Sequence, residues 1–153
     1  GGFGASVNLD LEVITQSWLD VLGVQVEFQQ TEFATYLQDL HKRRFDMFQI
    51  AWIADYPDPE NFLDILFYTH SKNNHTQYSN SDVDLLLLEA RSETEQAKRY
   101  RLYQEAEKII VNEAPWIPLW HSGERYILIK PWVKDYHLTQ LIVPRLRFVS
   151  LTD

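Results

Sequence analysis

One segment of this chain sets an acid among aromatic rings, inside a turn stiffened by two prolines. It reads Trp52-Ile53-Ala54-Asp55-Tyr56-Pro57-Asp58-Pro59-Glu60-Asn61-Phe62. Trp52 and Tyr56 offer flat apolar surface and Asp55 offers negative charge, a combination that suits a cationic organic group. Pro57 and Pro59 fix their own φ and restrict the residues before them, so the loop is partly preorganised. Each residue also has a plainer reading. Asp55 fits an Asx-turn or a helix cap, and Trp52 and Tyr56 fit ordinary core packing. Asp58 suits a turn and a helix start, where an acid meets the positive end of the helix dipole. Asp55 and Asp58 together would be the carboxylates of a hydrolase, but no nucleophile or histidine lies close by in sequence.

The elements that hold this segment follow from periodicity. Residues 9–22 place Leu11, Ile14, Trp18, Leu19 and Leu22 on one helical face, with Gly23 as a natural left-handed stop. Residues 24–29 alternate like a half-buried strand. Thr31 is placed to cap a helix over 31–43 that carries Phe33, Tyr36, Leu37 and Leu40 on one face and ends in basic residues suited to its dipole. Residues 45–53 are mostly apolar and read as a buried strand. Strand, helix and strand predict a right-handed parallel βαβ unit, with Asp55 just beyond the carboxyl end of its second strand, where α/β sheets gather ligands. A short helix is expected from about residue 61 to 68. Residues 70–81 are polar and read as a loop, where Asn74 and Tyr78 are either turn residues or the rim of a pocket. Ser81 with Asp84 resembles a capping box for a helix over 82–91. Thr94 is placed to cap a helix over 95–112, whose core face carries the Arg99 stem, Leu102, Tyr103, Ala106, Ile109 and Ile110. Residues 117–130 read as a long strand or a bent pair.

The bulk numbers narrow the function classes. With 153 residues and 45% hydrophobic content, the chain can bury a sizeable core. A net charge of −8 opposes nucleic-acid binding and favours cationic or zwitterionic ligands. There is no cysteine, so thiol chemistry and thiolate metal sites are excluded. His41, His70, His75, His121 and His137 show no metal-binding spacing, and no cofactor is expected. Asn74-His75-Thr76 is a glycosylation sequon by pattern alone.

Several motifs in order carry a family resemblance. Trp52, Ala54-Asp55-Tyr56-Pro57-Asp58-Pro59 and Phe62 are followed by Asn74, Tyr78, Asp84 and Ala90, then by Arg99, Leu102-Tyr103 and Ala106-Glu107. Pro115, Ile117, Pro118 and Leu119 complete the series, and Leu22-Gly23-Val24 with Val26 opens it. This pattern resembles the C-terminal portion of bacterial solute-binding proteins of family 5, the peptide/nickel class that serves ABC importers. The resemblance implies an α/β fold: one lobe of the periplasmic-binding-protein (type II-like) kind, with the βαβ unit, several helices and a C-terminal extended tail. It implies a non-enzymatic receptor, located outside the cytoplasm, that closes around a peptide or another small amine-bearing solute and delivers it to an ABC permease. Asp55 would then pair with the ligand's α-ammonium, with Trp52, Tyr56, Asn74 and Tyr78 around it. Residues 1–130 would form the lobe. Residues 131–153 would return towards a second lobe that lies outside this sequence, as would any export segment. In that tail Trp132, Leu141, Val143 and Phe148 need partners: either the tail folds back on its own lobe or it pairs with a second copy of the chain, and of the two the homodimer is favoured. A self-contained interaction module is the remaining alternative, and those unpaired apolar residues speak against it.

Overall fold

The computed structural model describes residues 9–121, 128–137 and 146–152. The chain divides into two compact units, Gly1–Ala51 and Trp52–Asp153. Among the described residues it is mostly helical, with one two-stranded sheet.

In the first unit α1 spans Leu9–Leu22. It stops at Gly23, whose φ of 68° lies in the left-handed region that glycine enters without strain. Gly23 N–H bonds the Leu19 carbonyl at 3.0 Å and Val24 N–H reaches back to Trp18 at 3.3 Å, which satisfies the open carbonyls of the last turn. Helix α2 spans Phe33–His41. Its cap is Glu32, whose carboxylate accepts from the amides of Ala34 and Thr35 at 3.0 Å each. The expected cap, Thr31, lies one residue too early for that reach. Tyr36 and Leu40 are the buried residues of α2. The Tyr36 hydroxyl donates to the Gln49 carbonyl at 2.9 Å, and its ring stacks on Phe45.

The expected βαβ unit is not formed. Residues 24–29 and 45–53 carry no strand pairing, and residues 117–121 and 128–130 carry none either. Their burial also departs from the expectation: Val24, Phe28 and Met47 are exposed. Alternating or apolar sequence tells which faces a segment can bury. A strand needs in addition a neighbour that takes its backbone hydrogen bonds, and none of the described residues supplies one here.

The second unit is built on three helices: α3 (Glu60–Phe67), α4 (Ser81–Ser92) and α5 (Gln96–Glu113). The last two are joined by residues 93–95, short enough to force an antiparallel hairpin. Asn80 caps α4 in place of Ser81, with its Oδ1 accepting from Asp82 and Val83 amides. Asp84, read as part of a capping box, instead accepts from Thr69 N–H at 2.9 Å. No side chain caps α5, so Thr94 does not serve there. The helix ends at Ala114, a left-handed residue with φ 48°. Leu63, Leu66 and Phe67 of α3, Val83, Leu87 and Ala90 of α4, and Leu102, Tyr103, Ala106 and Ile110 of α5 form one core, with Trp52, Tyr78 and Trp116 packed at its edge.

Two ion pairs tie α3 and its leading turn to the hairpin. Arg91 of α4 grips Asp64 through Nε and Nη2, both at 2.6 Å, and lies over the Tyr68 ring. Arg99 of α5 grips Asp58 through Nη1 at 2.6 Å and Nη2 at 2.8 Å, and its Nε donates to the Ala90 carbonyl. Arg99 thus does more than lend its stem to the core.

In the tail, β1 (Val133–Lys134) pairs antiparallel with β2 (Ser150–Leu151) after a 3-10 turn at Leu146–Phe148. The described tail pairs with itself, while Trp132, Leu146, Phe148 and Leu151 stay exposed. Leu141 and Val143 lie outside the described residues.

Two measurements check this packing. Leu87 is fully buried and Leu85, on the same helix, is 65% exposed. Leu87→Ala is expected to cost about 3 kcal/mol in urea unfolding, and Leu85→Ala less than about 0.5 kcal/mol. The Arg99 hydrogen bonds hold the Asp58 carboxyl below its ordinary pKa of 3.8, against the opposing effect of burial. The pair's stabilisation is therefore complete above 3.8 and fades as pH falls through the lower folded value. Both side chains are about three-quarters buried, between a surface pair and a buried one, so Asp58→Asn should cost about 1–3 kcal/mol at pH 7. Wild type and variant should converge in strong acid.

Candidate functional site

The turn between Ala51 and α3 is held from inside. Pro59 already has helical dihedrals, and the Asp58 carboxylate accepts from Glu60 N–H at 2.9 Å, the bond of a capping acid set before a first-turn proline. The same carboxylate carries Arg99. Asp58 therefore has its oxygens engaged by α3 and α5 together, and it does not stand free beside Asp55 as half of a carboxylate pair.

Asn61, at the start of α3, is fully buried. Its Oδ1 accepts from the Trp52 indole Nε1 at 3.0 Å and from Asp55 N–H at 3.2 Å. The Trp52 ring is half-buried against the core. Its polar edge is thus fixed and its other faces divide between core and surface. Asp55 is exposed, and so is Tyr56, whose hydroxyl donates to Glu60 at 2.7 Å. That bond to a carboxylate raises the Tyr56 pKa. The three residues read as an aromatic–acid–aromatic cluster are thus one short arm, with its backbone anchored and its acid in solvent.

Asn74 and Tyr78 belong to a different construction. Asn74 is 3% exposed. Its Nδ2 donates to the carbonyls of Tyr68 at 3.3 Å and Tyr78 at 2.7 Å, and its Oδ1 accepts from Tyr78 N–H at 3.1 Å and the Thr76 hydroxyl at 3.3 Å. Its amide is fully used in shaping the loop from within, and the sequon asparagine offers little to solvent. The Ser71 hydroxyl closes the same loop onto the Ile65 carbonyl. Tyr78 sets its ring edge-on to Phe67 and donates its hydroxyl to Glu113 at 2.6 Å. Burial first, and Glu113 second, push its pKa up. Glu113 also accepts from Asn80 Nδ2 at 2.8 Å, so the last residue of α5 closes the loop and the cap of α4 together.

Sequence reasoning missed the roles of Asn61, Glu113 and Asp64. Asn61 carried a signal: it is a polar residue at a helix start directly after the acid-bearing turn. Glu113 and Asp64 gave none, because their partners are 33 or 35 and 27 residues away. Among the described residues no cluster of histidines and acids is arranged to hold a metal ion. Nor is any helix there long and apolar enough to cross a membrane.

The chain is similar to known proteins along most of its length. Residues 5–74 match the bacterial extracellular solute-binding proteins, family 5 Middle. The oligopeptide-binding protein OppA of Bacillus subtilis is 31% identical over 133 residues, 87% of this chain and 23% of that protein. The periplasmic murein peptide-binding protein MppA of Escherichia coli is 36% identical over 124 residues, 80% of this chain and 22% of that protein. The chain therefore spans less than a quarter of the length of these two relatives. Among solved structures, the dipeptide binding protein from Pseudoalteromonas sp. SM9913 in complex with Met-Leu superposes with a TM-score of 0.79 at 28% identity, over 94% of this chain and 29% of that one. The motifs from Trp52 to Ala106 and these similarities lead to one conclusion: the chain belongs to family 5 of the bacterial extracellular solute-binding proteins.

Proposed function

We propose that this chain supplies the ligand-contacting part of a two-lobe receptor. The receptor binds a peptide, or another small solute with a free amine, outside the cytoplasm and passes it to an ABC permease. The observation that carries this reading is the Trp52–Tyr56 arm: an exposed Asp55 between two aromatic rings, with its backbone locked to Asn61. A carboxylate held in this way pairs with an ammonium group without first losing backbone freedom. The peptide-binding names of the relatives support the same ligand class. In this reading residues 1–130 form the lobe and residues 131–153 return towards the other one. Trp52 and Tyr56 line the ligand, and Asn74 and Tyr78 shape the neighbouring loop. No reaction is assigned. A hydrolase using Asp55 and Asp58 loses support, since Asp58 is bound to Arg99 and the α3 amide. A homodimer is not part of the proposal, because the described tail residues pair with each other.

The test is a substitution in the two-lobe protein. Asp55→Asn should weaken free-amine peptides about ten- to a hundred-fold, the worth of a charge-assisted hydrogen bond, and should spare their N-acetylated forms. Equal loss for both forms would make Asp55 a structural residue. A second measurement uses the chain alone. Without a second lobe to exclude water, the amine–Asp55 contact falls to a screened surface value of about 0–1 kcal/mol. Calorimetry with a mixed peptide library should then detect little or no binding. Micromolar affinity would show that one lobe suffices.

A further inference from the structure

Asn61 has more fixed about it than a helix start requires. Its residue is 0% exposed. It sits between Asp58 and Asp64, the two acids that clamp α3 and its leading turn to α5 and α4. Leu63, Leu66 and Phe67 bury the rest of the helix. The Asn61 side chain therefore starts from a rigid base. Its Oδ1 takes two donors from residues three apart, the Trp52 indole and the Asp55 amide. A carbonyl oxygen has two lone-pair directions, and both are used on the same arm. Its Nδ2 is buried too, and a side-chain hydrogen bond from Asn61 acts to lower the pKa of Tyr56, the next residue of the same arm. What the residue holds is the arm that bears Asp55.

We propose that Asn61 is the positioning residue of the ligand arm: its single oxygen fixes the Trp52 ring and the Asp55 main chain as one unit and so aims the Asp55 carboxylate. This rests on the reading of Asp55 as an amine anchor. Asn61 itself touches no ligand. Without the oxygen, Trp52 Nε1 and Asp55 N–H lose their partner, and residues 52–55 keep only the packing of the Trp52 ring against the core and their chain ends. The acid remains present but samples many directions, and a bond that depends on direction is weakened more than burial or packing nearby.

The experiment compares Asn61→Leu, which keeps the branching of the side chain and removes the acceptor, with Asn61→Asp, which keeps the acceptor oxygens. Leu87→Ala serves as a variant destabilised elsewhere. Hydrogen exchange of the Trp52 indole and the Asp55 amide is read by NMR in the full chain. The affinity ratio of a free-amine peptide to its N-acetylated form is read in the two-lobe protein. Asn61→Leu should lose protection at both sites, and the affinity ratio should fall about ten-fold. Asn61→Asp should keep both, and Leu87→Ala should keep the ratio. Native exchange rates in Asn61→Leu overturn the proposal. So does a lost protection that leaves the ratio intact while Asp55→Asn abolishes it. If Asp55→Asn leaves the ratio unchanged, the amine reading fails, and the exchange rates of Asn61→Leu alone decide whether Asn61 holds the arm. If Asn61→Leu does not fold, loss of protection in Asn61→Asp overturns the proposal.

Discussion

The bidentate bond between Arg99 and Asp58 is the constraint on which the rest of this site depends. It joins the first turn of the longest described helix to a turn with no regular backbone pairing of its own. The turn has two prolines and so lacks two backbone donors. Side chains must supply what the main chain cannot. Asp58 meets this need in two directions, accepting from α5 through Arg99 and from α3 through the Glu60 amide. A planar guanidinium suits the task better than a lysine would, because two parallel bonds fix orientation as well as distance. Arg99 also spans Tyr103, lying over its ring and donating to its hydroxyl, so the charge rests on a buried aromatic.

The second clamp, Arg91 on Asp64, repeats the device within α3 itself. With both in place, α3 has little freedom to rotate about its axis or slide along the hairpin. Its apolar face then falls on the α4–α5 core, and Asn61 falls beneath the Trp52–Asp55 arm. The order of dependence runs from charge pairs to helix position, from helix position to one amide oxygen, and from that oxygen to the direction of an exposed acid.

The helices were legible because each carries its own signal. Leu102, Tyr103, Ala106 and Ile110 recur at three- and four-residue steps, and all four are buried in α5. Gly23 was legible as a stop because only its φ was at issue. Caps were less so: Glu32 for Thr31 and Asn80 for Ser81 are one-residue choices among polar neighbours, decided by reach. The strands failed for a different reason. Residues 24–29 and 45–53 have suitable composition, but pairing is a property of two segments and only one was being read. Arg99 was assigned to the core face correctly by periodicity, yet its guanidinium partner stands 41 residues away. At the site itself the acid and its aromatic neighbours were visible as types in a row. An exposed Asp55 followed from its place in a turn before a helix, but the sequence carried no sign that Asn74 faces inward, because that depends on which carbonyls come within reach of its side chain.

The loop from Tyr68 to Asn80 has a consequence for anyone who would modify this molecule. Polar, irregular and on the surface, it is the kind of stretch into which tags, labels or extra residues are ordinarily placed. Here it is stapled at its centre by Asn74 and tied through Tyr78 and Asn80 to Glu113, at the far end of the hairpin. Added length would part those staples and open the edge of the core where Phe67, Tyr78 and Trp116 meet. The solvent face of α5, around Arg101 and Glu105, is exposed and regular. A reporter group belongs there: irregularity of backbone is a poor guide to tolerance, and the direction in which side chains spend their hydrogen bonds is a better one.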